Sequence, residues 1–396
     1  MTYVWARDGW PQLRFDLQAV QGTLYRYAME ANVLKGSVAQ LADEEETEVL
    51  IDLMVSEAIK TSAIEGEDLD RRDVRSSIRN QLGLDPAPEP VRDPRAHGIA
   101  ALMISVRRSF REPLTRERLF AWHEMVIADP ALRRRIPVGA WRDAAIQIVS
   151  GPIGREVVHF DAPPPRDVPA EMARFLDWFN ATAPKGKPSD LPGPVRAAVA
   201  HLHFECIHPF ADGNGRIGRA ISEIALSQEL DRPVLLSLSR AIEAERKKYY
   251  EALAAASQGG LDITHWVRYF VDTVLEAQLQ ARATIAFVLE KARFWDRFGE
   301  RVNERQRKAL ARMFRAGPEG FEGGISAKKY ASITGASKAT ATRDLADLLR
   351  EGALRRPPGG GRSTRYELAL GETGPHDPER PPMTSRPPFM TETGRS

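Results

Sequence analysis

From about Leu13 to Phe298 the apolar residues of this chain recur mostly at three- and four-residue intervals, and that period, rather than an alternation of two, limits what the chain can build. Leu17, Leu24, Val33 and Leu34, followed by Leu50, Leu53, Met54 and Ile59, carry the pattern between about Leu13 and Ser62 and predict a helical hairpin or small bundle. The pattern stops near Glu65-Gly66. Asp85-Pro-Ala-Pro-Glu-Pro90 then reads as a connection, because proline lacks a backbone donor and disfavours helix in the residue before it. These signals place a first helical domain at residues 1–90.

Helical spacing returns from Val91 to Gly260 with one interruption. Ile146-Gln-Ile-Val149 and Val157-Val-His-Phe160 flank Ser150-Gly-Pro-Ile-Gly154, a β-hairpin signal closed by Pro163-Pro-Pro165. Residues 181–194, rich in proline, glycine and lysine, read as a surface loop. Val195 to Ile207 and Arg216 to Leu230 read as two helices, separated by eight residues of irregular composition. This second domain is placed at 91–260, with connecting helices over 261–301.

A smaller domain is expected over 302–370. Arg305 to Phe314 forms one helix, and Ala327 to Ile333 and Ser337 to Arg350 form two more around a Thr334-Gly-Ala336 turn. Leu354 and Tyr366-Glu-Leu368 flank Pro357-Pro-Gly-Gly-Gly361, so the segment resembles a winged helix-turn-helix domain. Six prolines and few large apolar side chains in the last 26 residues predict a disordered tail over 371–396.

With 42% hydrophobic residues, 396 positions suffice for more than one core. Lys and Arg number 56 against 54 Asp and Glu, a net charge of +2, which argues against both a histone-like polycation and an acidic disordered chain. A single cysteine, Cys206, excludes an intramolecular disulfide. The absence of an eighteen-residue apolar run or a signal-type leader predicts a soluble, cytoplasmic protein with no membrane partner.

The chemistry concentrates in His208-Pro-Phe-Ala-Asp-Gly-Asn-Gly-Arg-Ile-Gly-Arg219. Gly213 and Gly215 let backbone amides approach an anion, and the helix that follows aims its positive end at the same point. Arg216 and Arg219, at i and i+3, can both reach phosphate oxygens. Asp212 beside a polyphosphate is repulsive unless a hard cation lies between them, which implies Mg²⁺, or Mn²⁺ in its place. His208 has an ordinary pKa near neutrality and suits removal of a proton from an attacking hydroxyl.

This segment resembles the Fic-domain signature, His-Pro-Phe-x-Asp/Glu-Gly-Asn-Gly-Arg-x-x-Arg, at every defined position. The resemblance implies a mainly α fold: a Fic (Fido) helical bundle with a β-hairpin flap, an N-terminal helical domain and a C-terminal winged helix-turn-helix. It also implies a protein adenylyltransferase that moves AMP from ATP to a Ser, Thr or Tyr hydroxyl of a target protein or of itself. By motif position His208 would be the general base and Asp212 the metal ligand. Asn214 with the Gly213 and Gly215 loop would stabilise the α-phosphate, and Arg216 and Arg219 would clamp the β- and γ-phosphates. Glycine at 215, where kinase-type relatives carry a larger or basic residue, favours AMP transfer. The hairpin, with Val157, Val158 and His159, would be the flap that pairs with an extended target segment. Tyr249 and Tyr250 resemble residues that pack near the adenine, although helical core packing explains either one as well.

Thr61-Ser-Ala-Ile-Glu65-Gly66 resembles the family's inhibitory motif, Ser/Thr-x-x-x-Glu-Gly/Asn, in the class that carries it N-terminal to the core. It implies that Glu65 forms a bidentate pair with Arg219 and denies that arginine to the γ-phosphate, with removal of AMP as a reverse activity. Gly213-Asn-Gly-Arg-Ile-Gly218 also fits Gly-x-Gly-x-x-Gly, but no strand precedes it, which excludes a dinucleotide fold. His201 and His203, two apart on a helix, are expected on different sides rather than in a metal cluster. Nine Lys and Arg against four Asp and Glu over 325–370, with Lys338, Thr340 and Arg343 facing outward and Ala341, Leu345, Leu348 and Leu349 inward, support the alternative of a DNA-binding regulator with a nucleotide-sensing portion. The same region could instead contact protein, and self-association into a homodimer is left open.

Overall fold

The computed structural model describes residues 2–85, 87–150, 157–184, 191–318, 320–357 and 365–371, and in 148–150 and 157–159 the main chain only. The chain is mainly helical and divides into two units, Met1–Leu289 and Glu290–Ser396.

In the first unit α1 (Gln21–Val38) and α2 (Asp43–Ile64) are the two helices of the expected stretch, α2 packing on later helices rather than along α1, and α3 (Arg71–Leu82), α4 (Pro94–Ser109), α5 (Arg116–Val126) and the single turn α6 (Pro130–Arg133) follow. Strands β1 (Gln147–Ser150) and β2 (Val157–Asp161) pair antiparallel, Gln147 opposite Asp161 and Ser150 opposite Val157, with an irregularity between Ile148 and Val149. Next come α7 (Val168–Ala181), α8 (Gly193–Ile207), α9 (Asn214–Leu230), α10 (Leu238–Ala244), α11 (Arg246–Gln258) and α12 (Thr264–Phe298), within which the two units divide.

The reason for this arrangement is legible in the faces of the helices. Every residue of α8 is buried, and all but a few of α9. A helix that is apolar on all sides belongs at the centre of a bundle. The acidic first turn of α2, Asp43 to Glu46, complements the positive helix end, and the Glu45 carboxylate accepts from Ala42 N–H at 3.0 Å. Beyond that turn α2 buries Val49, Ile51, Leu53, Met54, Val55 and Ala58, and packs against α3, α4, α9 and α10. Where α4 crosses α5, Gly98 lets the helices meet so closely that a Cβ there would stand 2.0 Å from the Met125 carbonyl oxygen.

Several expectations are revised. The proline-rich connection at 85–90 does not separate two bodies: α3 before it and α4 after it pack on each other and on α2 in one core. The division falls at 289/290, inside α12, and not between 301 and 302. Helix α9 begins at Asn214 rather than Arg216, which shortens the turn after α8 to 208–213. Leu17 and Val33, which carry the apolar period in the sequence, are 39% and 41% exposed.

In the second unit α13 (Glu304–Phe314), α14 (Ala327–Thr334) and α15 (Lys338–Arg350) precede two short antiparallel strands, β3 (Leu354–Arg355) and β4 (Glu367–Leu368). Ser337 caps α15 through Thr340 N–H, and buried Asp344 accepts from Tyr330 Oη at 2.9 Å and Arg305 Nε at 3.1 Å. Lys338 and Arg343 are exposed, Ala341, Leu345 and Leu348 buried, and Thr340 and Leu349 half-buried. The segment expected to form the wing, 358–364, and the tail from 372 lie outside the described residues, as do 151–156 of the hairpin turn and 185–190 of the expected surface loop.

Candidate active site

The turn between α8 and α9 is built around Phe210. Its ring is buried among Phe120, His123, Trp141 and Phe204, stacked on His123 at a centroid distance of 4.1 Å. Asn214 closes the turn: its Oδ1 accepts from Phe210 N–H at 2.9 Å and its Nδ2 donates to Phe210 O at 2.7 Å. Both ends of its side-chain amide thus shape the loop, and the second N–H of Nδ2 and the backbone amide remain as donors. Gly213, the N-cap of α9, has φ +82°, and a Cβ there would press on Val126 at 3.0 Å, so both conformation and space select glycine. The first-turn amides of α9 lack intrahelical partners and face the positive end of a long helix, an anion-binding arrangement.

A cavity of about 450 Å³ opens over this turn, lined by Glu65, Phe160, Glu205, His208, residues 211–215 and the α11 face of Tyr249, Tyr250, Leu253, Ala254 and Ser257. Both tyrosines therefore border it. Tyr249 is buried with its hydroxyl 2.8 Å from His201 Nε2, and Tyr250 donates to Ile64 O at 3.2 Å. His201 and His203 are buried in separate aromatic pockets, His201 beside Trp266 and Phe270, His203 beside Trp10 and Phe175.

His208 ends α8 in the left-handed region, φ +50°, with Nδ1 3.8 Å from Glu205 Oε2. Burial, with the Arg142 charge second, pushes its pKa down to about 4, against the opposing pull of the Glu205 backbone and of Glu65. The expectation of an ordinary near-neutral histidine is revised: this imidazole is an unprotonated acceptor across the neutral range. Burial lifts the Glu205 carboxyl in the opposite direction, to about 8, so it is protonated at neutral pH.

Asp212 is exposed. Its Oδ1 accepts from Gly213 N–H at 2.5 Å and lies 3.6 Å from Arg216 Nη2. A single exposed carboxylate suits a hard cation completed by water and phosphate oxygens. Among the described residues no group of three or more His, Cys, Asp or Glu side chains could hold an ion by itself.

The two arginines are held from α2. Arg219, 2% exposed, donates from Nε to Thr61 Oγ1 at 2.7 Å and from Nη2 to Thr61 O at 3.0 Å and Glu65 Oε1 at 2.8 Å. The pair is thus one carboxylate oxygen on one nitrogen rather than the expected bidentate fork: Thr61 takes Nε and shares Nη2, and Nη1 is buried without a hydrogen-bond partner among the described residues. Burial opposes ionisation of Glu65, but Arg219, by charge and by hydrogen bond, and then Arg216 and His208 hold its carboxyl below the usual range. Gly215 matters to the same contact, since a Cβ there would lie 2.2 Å from Glu65 Oε1.

The sequence reading missed Glu67, which takes Arg216 Nη1 at 2.8 Å. Gly66, φ +83°, explains how both acids reach the site. Gly66 N–H bonds to Ala63 O at 3.0 Å and Glu67 N–H to Ser62 O at 2.9 Å, a Schellman stop that ends α2 and presents Glu65 and Glu67 on either side of the glycine. The Gly66-Glu67 pair at a helix end was the available signal. Of the expected flap residues, the main chain of Val157 and Val158 is in β2, paired with Ser150 and Val149; the side chains of 157–159 lie outside the described residues.

Residues 113–226 match a family model described as Fic/DOC family, and residues 3–84 match one described as a domain of unknown function, DUF4172. A protein named "Protein adenylyltransferase Fic" from Culex quinquefasciatus is 39% identical over 111 residues, 28% of this chain and 20% of that protein. The protein of the same name from Drosophila willistoni is 37% identical over 111 residues, with the same shares. The matched stretch thus spans about a fifth of the length of these curated relatives. The crystal structure of a Fic family protein from Desulfovibrio desulfuricans G20 is similar with a TM-score of 0.50 and 22% identity, covering 87% of this chain and 95% of that one, a likeness of fold.

Proposed function

We propose that this chain, which carries a Fic/DOC family domain at residues 113–226, is a protein adenylyltransferase restrained by its own α2. The observation that carries the reading is one cavity bordered by a neutral imidazole, a helix N-terminus, an exposed carboxylate and Glu65, with two arginines engaged by acids from the end of one helix. In this reading ATP lies with its phosphates on the first turn of α9 and its base toward the Tyr249–Tyr250 face. Asp212 would hold Mg²⁺ or Mn²⁺ together with phosphate oxygens, and the ion would neutralise charge on the departing diphosphate. Since His208 Nδ1 faces Glu205, Nε2 is the nitrogen that takes the proton of the target hydroxyl. The hydroxyl oxygen then bonds to the α-phosphorus, the bond from that phosphorus to the bridging oxygen breaks, and pyrophosphate leaves. The target, a protein Ser, Thr or Tyr including those of this chain, would be aligned by the β1–β2 hairpin.

Glu65 on Arg219 and Glu67 on Arg216 withhold the guanidiniums that a productive triphosphate requires, so basal transfer is low. With labelled ATP and Mg²⁺, Glu65→Gly raises automodification by at least about tenfold, and His208→Ala in that background abolishes it. An unchanged rate in Glu65→Gly would retire the brake, and transfer surviving His208→Ala would retire the assignment of the base. The rival reading, a DNA-binding regulator, draws on exposed Lys338 and Arg343 of α15. A salt-dependent mobility shift of duplex DNA by a His208→Ala chain would favour it.

A further inference from the structure

Arg142, between α6 and β1, is 3% exposed and stands in no motif of the sequence reading. Its main-chain N–H donates to Pro209 O at 2.9 Å. Its guanidinium donates Nε to His208 O at 2.7 Å, Nη1 to Ala144 O at 2.9 Å and Nη2 to Pro163 O at 2.6 Å, with Ile207 O at 3.5 Å from the same nitrogen. Ala144 lies just ahead of β1 and Pro163 just beyond β2. One planar cation therefore gathers carbonyls from both ends of the hairpin and from the last residues of α8. The carbonyls at a helix C-terminus have no intrahelical donors and carry the negative end of the dipole, so a charge-assisted fan of N–H groups suits them. His208 itself sits at φ +50°, a conformation that costs an L-residue on the order of 1 kcal/mol, and the bond to its carbonyl helps hold it there.

We propose that Arg142 is the positioning residue of the transfer reaction, its guanidinium tying the main chain of His208 to the base of the hairpin so that base and docked hydroxyl keep a fixed separation. The inference rests on the adenylyltransferase reading above. A lysine cannot replace it, since a single ammonium cannot span carbonyls that a rigid planar fork reaches together. The same cation also acts on the His208 ring. Burial is the larger cause of that ring's low pKa and Arg142 the second, while Glu205 from α8 and Glu65 from the end of α2 act in the opposite sense.

The test uses the full chain with Glu65→Gly as background and labelled ATP. Adding Arg142→Lys lowers kcat by about ten- to a hundredfold, because a displaced base no longer meets the hydroxyl in line. The KM for ATP stays within about twofold, because the bonds of Arg142 go to 144, 163 and 207–209 and not to residues 212–219. Adding Arg142→Gln, which removes the charge as well, moves the imidazole titration of His208 upward from about 4, read by NMR and assigned by its absence in His208→Ala. An Arg142→Lys chain with unaltered kcat, or one that loses kcat and ATP affinity in equal proportion, overturns the inference. Should neither Arg142 variant fold, solvent exchange of the Arg142 Nε–H in Glu65→Gly decides, read by NMR: strong protection supports the tie to the His208 carbonyl, and exchange at the rate of an exposed arginine refutes it. Absence of any transfer in Glu65→Gly would instead defeat the adenylyltransferase reading, leaving the tie between Arg142 and the His208 main chain to be judged on that exchange.

Discussion

At the scale of single residues, the two acids at the end of α2 do unequal work. The two side chains are similarly exposed, 31% and 26%, and both meet buried arginines, but Glu65 lines the cavity over the turn whereas Glu67 holds Arg216 from outside that lining. Removing Glu65 thus frees both an arginine and space in the cavity, and removing the Glu67 charge frees an arginine alone. Glu67→Gln is therefore expected to raise basal automodification by only about two- to fivefold, less than Glu65→Gly, measured with labelled ATP side by side; a larger rise than that of Glu65→Gly would reverse the ranking. The local sequence showed which atoms could handle phosphate, because His208, Asp212 and the arginines lie within one turn and its helix. It could not show Glu67 or Arg142. Glu67 is 149 positions from its partner and Arg142 is 66 from His208, and nothing in the spacing of either sets it apart from the many other charged residues of the chain.

At the scale of elements, α2 is held in place by more than its apolar face. Glu57, buried, accepts from Ser237 Oγ at 2.8 Å and Ser239 N–H at 2.9 Å, and Lys60 pairs with Glu243, so two polar contacts fasten α2 to α10. The crossing of α4 and α5 matters to the turn as well, since Val126 at the end of α5 stands 3.0 Å from where a Cβ of Gly213 would be. Because a Cβ at Gly98 would stand 2.0 Å from a backbone oxygen rather than from a movable side chain, Gly98→Ala forces the helices apart. A loss of about 2–3 kcal/mol is expected, visible as a lower denaturant midpoint at constant slope. An unchanged midpoint would show that the helices part without cost. The helices themselves were readable from their period, but the proline-rich segment at 85–90 was not. Prolines mark where a helix stops, and they carry no record of whether the next helix packs back on the last.

At the scale of the whole molecule, buried ionisable groups set the pH range of stability. Burial drives His123 and His208 to about 4, and His201 and His203 to about 3, while it lifts Glu205 to about 8 and Glu223 to about 7. The imidazoles contribute stability above their unfolded pKa near 6.5, and it is lost as pH falls. The two carboxyls contribute below their unfolded pKa near 4.5, and theirs is lost as pH rises toward 7 and 8. Around pH 5.5 the unfolded chain binds about two more protons from these groups than the folded one, so stability falls by about 2–3 kcal/mol per unit of acidification there and levels off near neutrality. Urea midpoints between pH 5 and 8 check the sign, and a midpoint that rises on acidification from 6.5 to 5.5 would contradict these burials.

What the amino-acid order determined alone was local: helix period, the turn that ends α8, the glycines before α9 and the charges beside them, all set by neighbours within a few residues. The tertiary structure decided which distant groups meet those charges. It put Thr61 rather than a second carboxylate oxygen on Arg219, turned the Asn214 amide onto Phe210, made His208 a weak base by removing water from it, and joined 1–289 into one core. Each of these depends on burial and on contacts between residues far apart in the chain, and hydrogen bonds and desolvation act through space, whereas sequence spacing reports only along the backbone.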